Sequence, residues 1–320
     1  MATIPRLFVS VPDDRALDGR RQSLKQAIIK RIAACGFRPV GFEPEQFGTG
    51  QPVNMDEWTV DRANQLIRNC DGMLVLALAR THAHVFDQSV QKGSPFEANP
   101  RPFPSPYNHL EGALAISQGL PVFIISEEGM DSKGIFASGI KSTPIPSGAD
   151  ASWVDSIQFA NHFDAWVELV RKRRDVFLGY CSQADSVALA LREHLEAGGY
   201  SVLDWARDFD KAGTTILEQI EKASGRCRCA IFIFTKDDEL TRRSTAKASF
   251  EALPRDNVLL EAGYFTRSHG KGRVAIIREK GAKMPADIGG IVYLSFDDRN
   301  DLGAVKAGIE HFLANTLNSI

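Results

Sequence analysis

The sequence predicts an α/β protein built as two domains in succession, each a mostly parallel sheet with helices on both faces. Three observations predict it. Short runs rich in Val, Ile and Phe alternate with longer segments whose apolar residues recur every three or four positions. That alternation is passed through twice, once in each half. The length, 320 residues, suits two domains of ordinary size better than one. Strands that alternate with helices pair in parallel, because the crossover helix carries the chain back to the same edge.

The first half opens with RLFVSV, Arg6 to Val11, a buried strand by its length and β-branching. Leu24, Ala27, Ile28 and Ile32 then mark a helix by their spacing. CGFRPVGF, Cys35 to Phe42, is a turn and a short strand, followed by a helix around Asp56 to Asn69. GMLVLALA, Gly72 to Ala79, is the third strand. After a loop rich in Pro and Gly come the helix SPYNHLEGALAISQG, Ser105 to Gly119, and the strand LPVFIIS, Leu120 to Ser126.

The second half repeats the order. DVFLGY, Asp175 to Tyr180, is a strand; Val187, Leu191 and Leu195 mark a helix; YSVLDW, Tyr200 to Trp205, is a strand. TTILEQIEKAS, Thr214 to Ser224, reads as a helix with Ile216, Leu217 and Ile220 inward. CAIFIFT, Cys229 to Thr235, is the third strand, DNVLLEAGYF a helix, and RVAIIRE, Arg273 to Glu279, the fourth strand. VYLSF, Val292 to Phe296, is a fifth strand, and Leu302 to Leu313 a closing amphipathic helix. Between the halves, KSTPIPSGADA at 141 to 151 has no periodicity. The expected division is a domain at 1–150, a linker helix within 151–174 that carries Trp166 and Val170, and a domain at 175–320. The run RKRR, Arg171 to Arg174, reads as the solvated end of that helix, since cations suit a helix C-terminus.

Charge excludes some classes of function. The chain has 38 Lys and Arg against 40 Asp and Glu, so bulk charge draws it to neither nucleic acid nor an anionic membrane. No apolar run approaches the roughly 18 to 20 residues that span a bilayer. The opening MATIPRLFVSVPDD lacks the basic region and long apolar core of a signal peptide. The odd set Cys35, Cys70, Cys181, Cys227 and Cys229 is expected to be free thiols, which fits a cytoplasmic protein. His82 and His84 form an HxH pair and Cys227 and Cys229 bracket Arg228, but neither has a partner motif, so no metal site is expected. The first strand of each half lacks a GxGxxG or GxxxxGK[ST] sequel, and no GxSxG elbow occurs.

One carboxylate is conspicuous. In PRDNVLLEAGYF, Pro254 to Phe265, Glu261 sits inside an apolar helical stretch, where a charge is costly unless it is paired or used. It either caps or pairs, with Arg255 or Arg273, or it serves a site. The first half places Glu111, preceded by Asn108, in a helix at the same stage of the pattern; the Asn-to-Glu spacings are three and four. Ligands in open parallel sheets sit beyond the carboxyl ends of the strands. Tyr180, Cys181 and Ser182, then Trp205, Arg207, Asp208 and Phe209, then Thr235, Lys236 and Asp237 all fall at that edge, with Arg255, Asp256 and Asn257 ahead of Glu261.

The run PRDNVLLEAGYFTRSHGKGRVAII resembles the signature of TIR-like nucleotide-binding domains of bacterial antiphage effectors. DVFLGYCSQAD, YSVLDW, AIFIFTKDDE and MPADIGGIVYLSF agree with it, so the resemblance covers about Asp175 to Leu313. It implies flavodoxin-like, TIR-like folds and an enzyme that breaks the nicotinamide–ribose bond of NAD+. Glu261 falls on the catalytic position. Trp205, Arg255, Asp256 and Asn257 fall on substrate-binding positions, with Tyr180, Ser182 and Phe209 near them. NAD+ is then the substrate and no cofactor is implied. The resemblance also implies a nucleotide activator and homo-oligomers on activation. SPYNHLEGALAISQGLPVFIIS is more distantly similar to TIR-like and nucleoside deoxyribosyltransferase-like folds, which makes Asn108 and Glu111 a second candidate site in a sensing or assembly domain. The competing readings are a nucleotide-binding scaffold without catalysis and an N-glycosidic transferase acting on nucleosides.

Overall fold

The computed structural model describes residues 4–42, 58–84, 101–208, 215–236, 238–242, 249–253, 256–282 and 291–317. They form two units, one of Ile4–Lys172 and one containing Arg173–Ile320. In the first, β1 (Arg6–Ser10) leads to α1 (Gly19–Ala34), β2 (Arg38–Val40), α2 (Val60–Arg68) and β3 (Gly72–Ala77). A hairpin of β4 (Thr81–Ala83) and β5 (Arg101–Phe103) follows, then α3 (Pro106–Ser117), β6 (Val122–Glu127), β7 (Ser142–Ile145) and α4 (Ile157–Arg171). The sheet order is β2-β1-β3-β6-β7, parallel throughout. The central β3 is buried along its whole length, as a strand covered on both faces must be.

The second unit runs β8 (Arg174–Tyr180), α5 (Asp185–Ala197), β9 (Val202–Asp204), α6 (Ile216–Arg226) and β10 (Cys227–Phe234). It continues with a hairpin of β11 (Asp238–Arg242) and β12 (Ser249–Leu253), α7 (Asp256–His269), β13 (Val274–Glu279), β14 (Val292–Phe296) and α8 (Gly303–Leu317). Its sheet order is β14-β13-β10-β8-β9, again parallel. Counted by their parallel strands alone, both sheets have the order 2-1-3-4-5, which is the flavodoxin-like arrangement. Helices after strands one and three leave on opposite faces there, and a crevice opens between those strands at their carboxyl ends.

The two units share finer features. Each inserts an antiparallel hairpin between its third parallel strand and the helix with the conspicuous Glu. Each ends its fourth strand in a carboxylate that holds the third. Ala79 N–H donates to Glu127 Oε2 at 2.8 Å, and Lys236 N–H donates to Glu279 Oε2 at 3.3 Å. Arginines complete both clamps, Arg21 on Glu127 at 2.7 Å and Arg299 on Glu279 at 2.8 Å.

Four expectations change. The helix expected as a linker belongs to the core of the first unit. Phe159, Phe163, Trp166 and Val170 of α4 are buried, and Phe123 of β6 stacks on Trp166 at 5.6 Å between centroids. The featureless stretch after residue 140 contains β7, an edge strand; Pro144 removes a donor, which only an edge or a strand end tolerates. The second helix begins at Val60 and not near Asp56, because Thr59 caps it by accepting Arg62 N–H. In α6, Leu217 points outward at 54% exposure, while Gln219, Ile220 and Ala223 face the core. The Thr215–Glu218 capping box sets that register.

Candidate active site

In the second unit the crevice lies between the carboxyl ends of β8 and β10. Cys181 Sγ and Thr235 Oγ1, just past those ends, meet at 3.4 Å. Helix α7 packs across β8, β10 and β13. Val258, Ala262 and Phe265 form its inward stripe, and Phe265 stacks on Phe177 of β8 at 4.6 Å. Glu261 lies on the same stripe, one turn ahead of Phe265 and toward the crevice end of the helix. It is 2% exposed, and its Oε2 has no hydrogen-bond partner among the described residues. Burial alone pushes its carboxyl from 4.5 up to about 8. A buried carboxylate left in this state is costly to the fold, and a cation placed against it relieves the cost.

The other expected residues divide. Trp205 is half-buried, edge-on to Phe177 at 6.2 Å, and offers an aromatic surface at the sheet edge. Ser182 is exposed at the start of a short turn of helix after β8. Asp256 and Asn257 are exposed in the first turn of α7. Tyr180 is engaged elsewhere: its hydroxyl donates to the fully buried Asp204 at 2.9 Å and accepts from Arg207 at 3.2 Å. Burial, reinforced by Asp204, pushes its phenol up. Arg207 pairs with Asp204 at 2.9 Å and Asp185 at 3.0 Å, so Tyr180 braces the turn that presents Trp205. Phe209 and Arg255 lie outside the described residues. Among the described residues, no three of the His, Cys, Asp and Glu side chains come together as metal ligands do.

The first unit has a partly open pocket at its own crevice, lined by Ser10, Phe42, Trp58, Tyr107, Asn108 and Glu111 among others. Ser10, the last residue of β1, stands beside α3. Asn108 Nδ2 donates to Ser10 Oγ at 2.8 Å, and Asn108 Oδ1 accepts Ser105 N–H at 3.2 Å in a capping box. Glu111 lies at the pocket floor, 5% exposed, and Trp58 Nε1 donates to its Oε1 at 3.0 Å. Burial pushes its carboxyl up to about 7, against the pull of hydrogen bonds from Ser10 and Trp58. Sequence reasoning found Asn108 and Glu111 but not Ser10 or Trp58. Ser10 is legible in retrospect as a hydroxyl ending an apolar run. Trp58 is 53 residues from Glu111, and no local pattern joins them.

Comparison with known proteins bears on the second unit. Residues 175–298 match the CAP12/Pycsar effector protein TIR domain. The TIR match holds Glu261, Trp205, Tyr180 and Asp204; Glu111 and its pocket fall outside it. Curated relatives include the Pycsar effector protein PaPycTIR of Pseudomonas aeruginosa, 29% identical over 38% of this chain and 39% of that protein. CD-NTase-associated protein 12 of Niabella drilacis is 31% identical over 42% of each chain. The uncharacterized protein YuaY of Escherichia coli is 36% identical over 26% of this chain and 27% of its own. The matched stretch thus spans less than half the length of each of these relatives. Among the described residues, no helix is long and apolar enough to cross a membrane.

Proposed function

We propose that this chain is an NAD+ nucleosidase, cleaving the nicotinamide–ribose bond, and that it acts as a triggered effector of antiphage defence. The observation that carries this reading is Glu261, a buried carboxylate whose Oε2 lacks a partner at the crevice of a TIR-matched unit. The chemistry needs one such group. Nicotinamide leaves NAD+ as a neutral pyridine, so no acid has to protonate it, unlike the usual two-carboxylate glycosidases. Positive charge develops on the ribose as the bond breaks. A carboxylate already stripped of water stabilises that charge with little reorganisation. The positive nicotinamide ring of the substrate also lowers the pKa of Glu261, so binding ionises the group that the reaction needs. Trp205 supplies a stacking face, and Asp256 and Asn257 supply polar contacts at the mouth. Water then yields ADP-ribose, or an adenine nitrogen yields a cyclic product.

In this reading the protein works in the cytoplasm, is switched on by a nucleotide signal and self-associates when active. The purified chain, incubated with NAD+ with and without cyclic nucleotides, is analysed for released nicotinamide. Release is expected under an activating condition, and Glu261→Gln should reduce it by on the order of 100-fold or more. Undiminished release from a folded, activated Glu261→Gln protein would overturn the assignment.

A further inference from the structure

The crevice of the second unit opens where the ladder between β8 and β10 stops. The last pair of that ladder is Tyr180 with Ile233, while β10 stays paired to β13 as far as Phe234 and Arg278. Beyond it the two lips are Cys181 to Gln183 on one side and Phe234 to Lys236 on the other. Cys181 Sγ and Thr235 Oγ1 meet between them at 3.4 Å, a weak contact, since a thiol is a poor hydrogen-bonding group.

One guanidinium reaches both lips. Arg299, in the loop between β14 and α8, donates through one terminal nitrogen to the Gln183 carbonyl at 2.7 Å. Its other terminal nitrogen donates to Glu279 Oε2 at 2.8 Å, and its Nε to Glu279 Oε1 at 3.4 Å. Glu279 is buried at the end of β13 and accepts Lys236 N–H in turn. Burial pushes its carboxyl up, but Arg299 and the Lys236 N–H pull harder and hold it below the usual carboxylate range. The contacts Gln183–Arg299–Glu279–Lys236 therefore run from one lip to the other. A planar fork of five donors can serve a carboxylate and a carbonyl together, which a single ammonium does poorly.

The first unit makes the same connection by another route. Arg21 of α1, the helix that follows β1, donates to Glu127 at 2.7 Å, and Glu127 accepts the N–H of Ala79, just past β3. The link between first-strand and third-strand ends recurs, although the element that supplies the arginine does not.

We infer that Arg299 is a positioning residue: by joining Gln183 to Glu279 it fixes the separation of the two lips, and with it the affinity for the molecule held between them. The inference rests on the reading of this crevice as the NAD+ site. Glu261 stands on α7, which packs on β8, β10 and β13 through its own apolar stripe. Loosening the lips therefore weakens the hold on substrate while the carboxylate that stabilises the ribose charge keeps its seat.

The test starts from Glu261-dependent nicotinamide release by the parent chain. Arg299→Ala should raise KM for NAD+ about tenfold and leave kcat within about twofold. Arg299→Lys, which keeps the charge and loses the fork, should fall between. Lys280→Ala is the control: it removes an exposed ion pair with Asp297, 3.1 Å long, beside the same loop, and should leave KM unchanged. Hydrogen exchange supplies a readout that needs no turnover. In Arg299→Ala the amides of residues 182–184 and of Lys236 should exchange faster than in the parent, while those of Ala275 to Ile277 keep their protection. Thermal melts check folding, and Arg299→Lys carries both measurements if Arg299→Ala does not fold. A parent that releases no nicotinamide under any condition overturns the NAD+ reading, and exchange at the two lips then decides the positioning role alone. The inference fails if KM stays within about twofold of the parent's, or if Lys280→Ala raises it as much. It also fails if exchange at the lips is unchanged.

Discussion

Glu111 and Glu261 occupy the same station in their units: each is five residues past the first residue of the helix that follows the third parallel strand. The structure treats the two differently. Glu111 receives Trp58 N–H at 3.0 Å, whereas Glu261 Oε2 receives no hydrogen bond among the described residues.

That difference makes Glu261 a cost to folding. Its folded pKa of about 8 lies above the ordinary 4.5, so the folded state favours the protonated carboxyl. The stability this lends is complete below about pH 4.5 and is lost as pH rises through about 8. Glu261→Gln does not titrate. The variant should therefore gain on the parent as pH rises, by at most about 4 kcal/mol at pH 8.5, while losing activity. Denaturant melts of the full chains at pH 5 and 8.5 measure the gap. A gap that does not widen toward alkaline pH would remove the case for a desolvated carboxylate.

The same burial shapes the rate. If ionised Glu261 is required, kcat/KM for NAD+ should rise with pH and level off above about 8, because that ratio reports the free enzyme. A limb near 4.5 would mean the carboxylate is solvated in the activated protein.

Tyr180 is expected to matter through its hydroxyl's grip on Asp204. Tyr180→Phe removes one hydrogen bond to a fully buried carboxylate and should cost about 1 to 2 kcal/mol. Asp204→Asn also unbalances Arg207 and should cost more, about 3 kcal/mol. Equal, negligible losses in urea melts would show that the cluster does not hold the Trp205 turn.

Self-association is the fourth expectation: turnover per protomer should rise steeply with protein concentration or with an activator. Light scattering alongside turnover checks it, and full activity from a strict monomer rules it out. Asp208 is a poor probe for this. Its Oδ2 accepts Asp204 N–H at 2.7 Å, so charge reversal there disturbs the turn itself.

Much of the frame was legible, because alternation of period two and period 3.6 survives wherever one side of an element is buried. The strands at Gly72 and Cys229, the Glu261 helix and the doubled pattern all have that imprint. What escaped was structure without an apolar face of its own. β7 carries Pro144 at an edge, and the two hairpins are short. α4 had the right periodicity, yet its partners, Phe123 above all, lie far back in the chain. The site shows the same divide. Glu261 stood out as a charge among apolar neighbours, while the Tyr180–Asp204–Arg207 cluster and the Ser10–Glu111 contact depend on crossings that only the sheet order creates.

The clamps Glu127 on Ala79 and Glu279 on Lys236 bear on how such a chain diversifies. Each pins its third strand to its fourth without help from the Glu-bearing helix beside it. The seam between those strand ends is therefore fastened by side chains that do not belong to the Glu-bearing helix. A change of side chain at Glu111 or Glu261 leaves the hydrogen bonds of that seam in place.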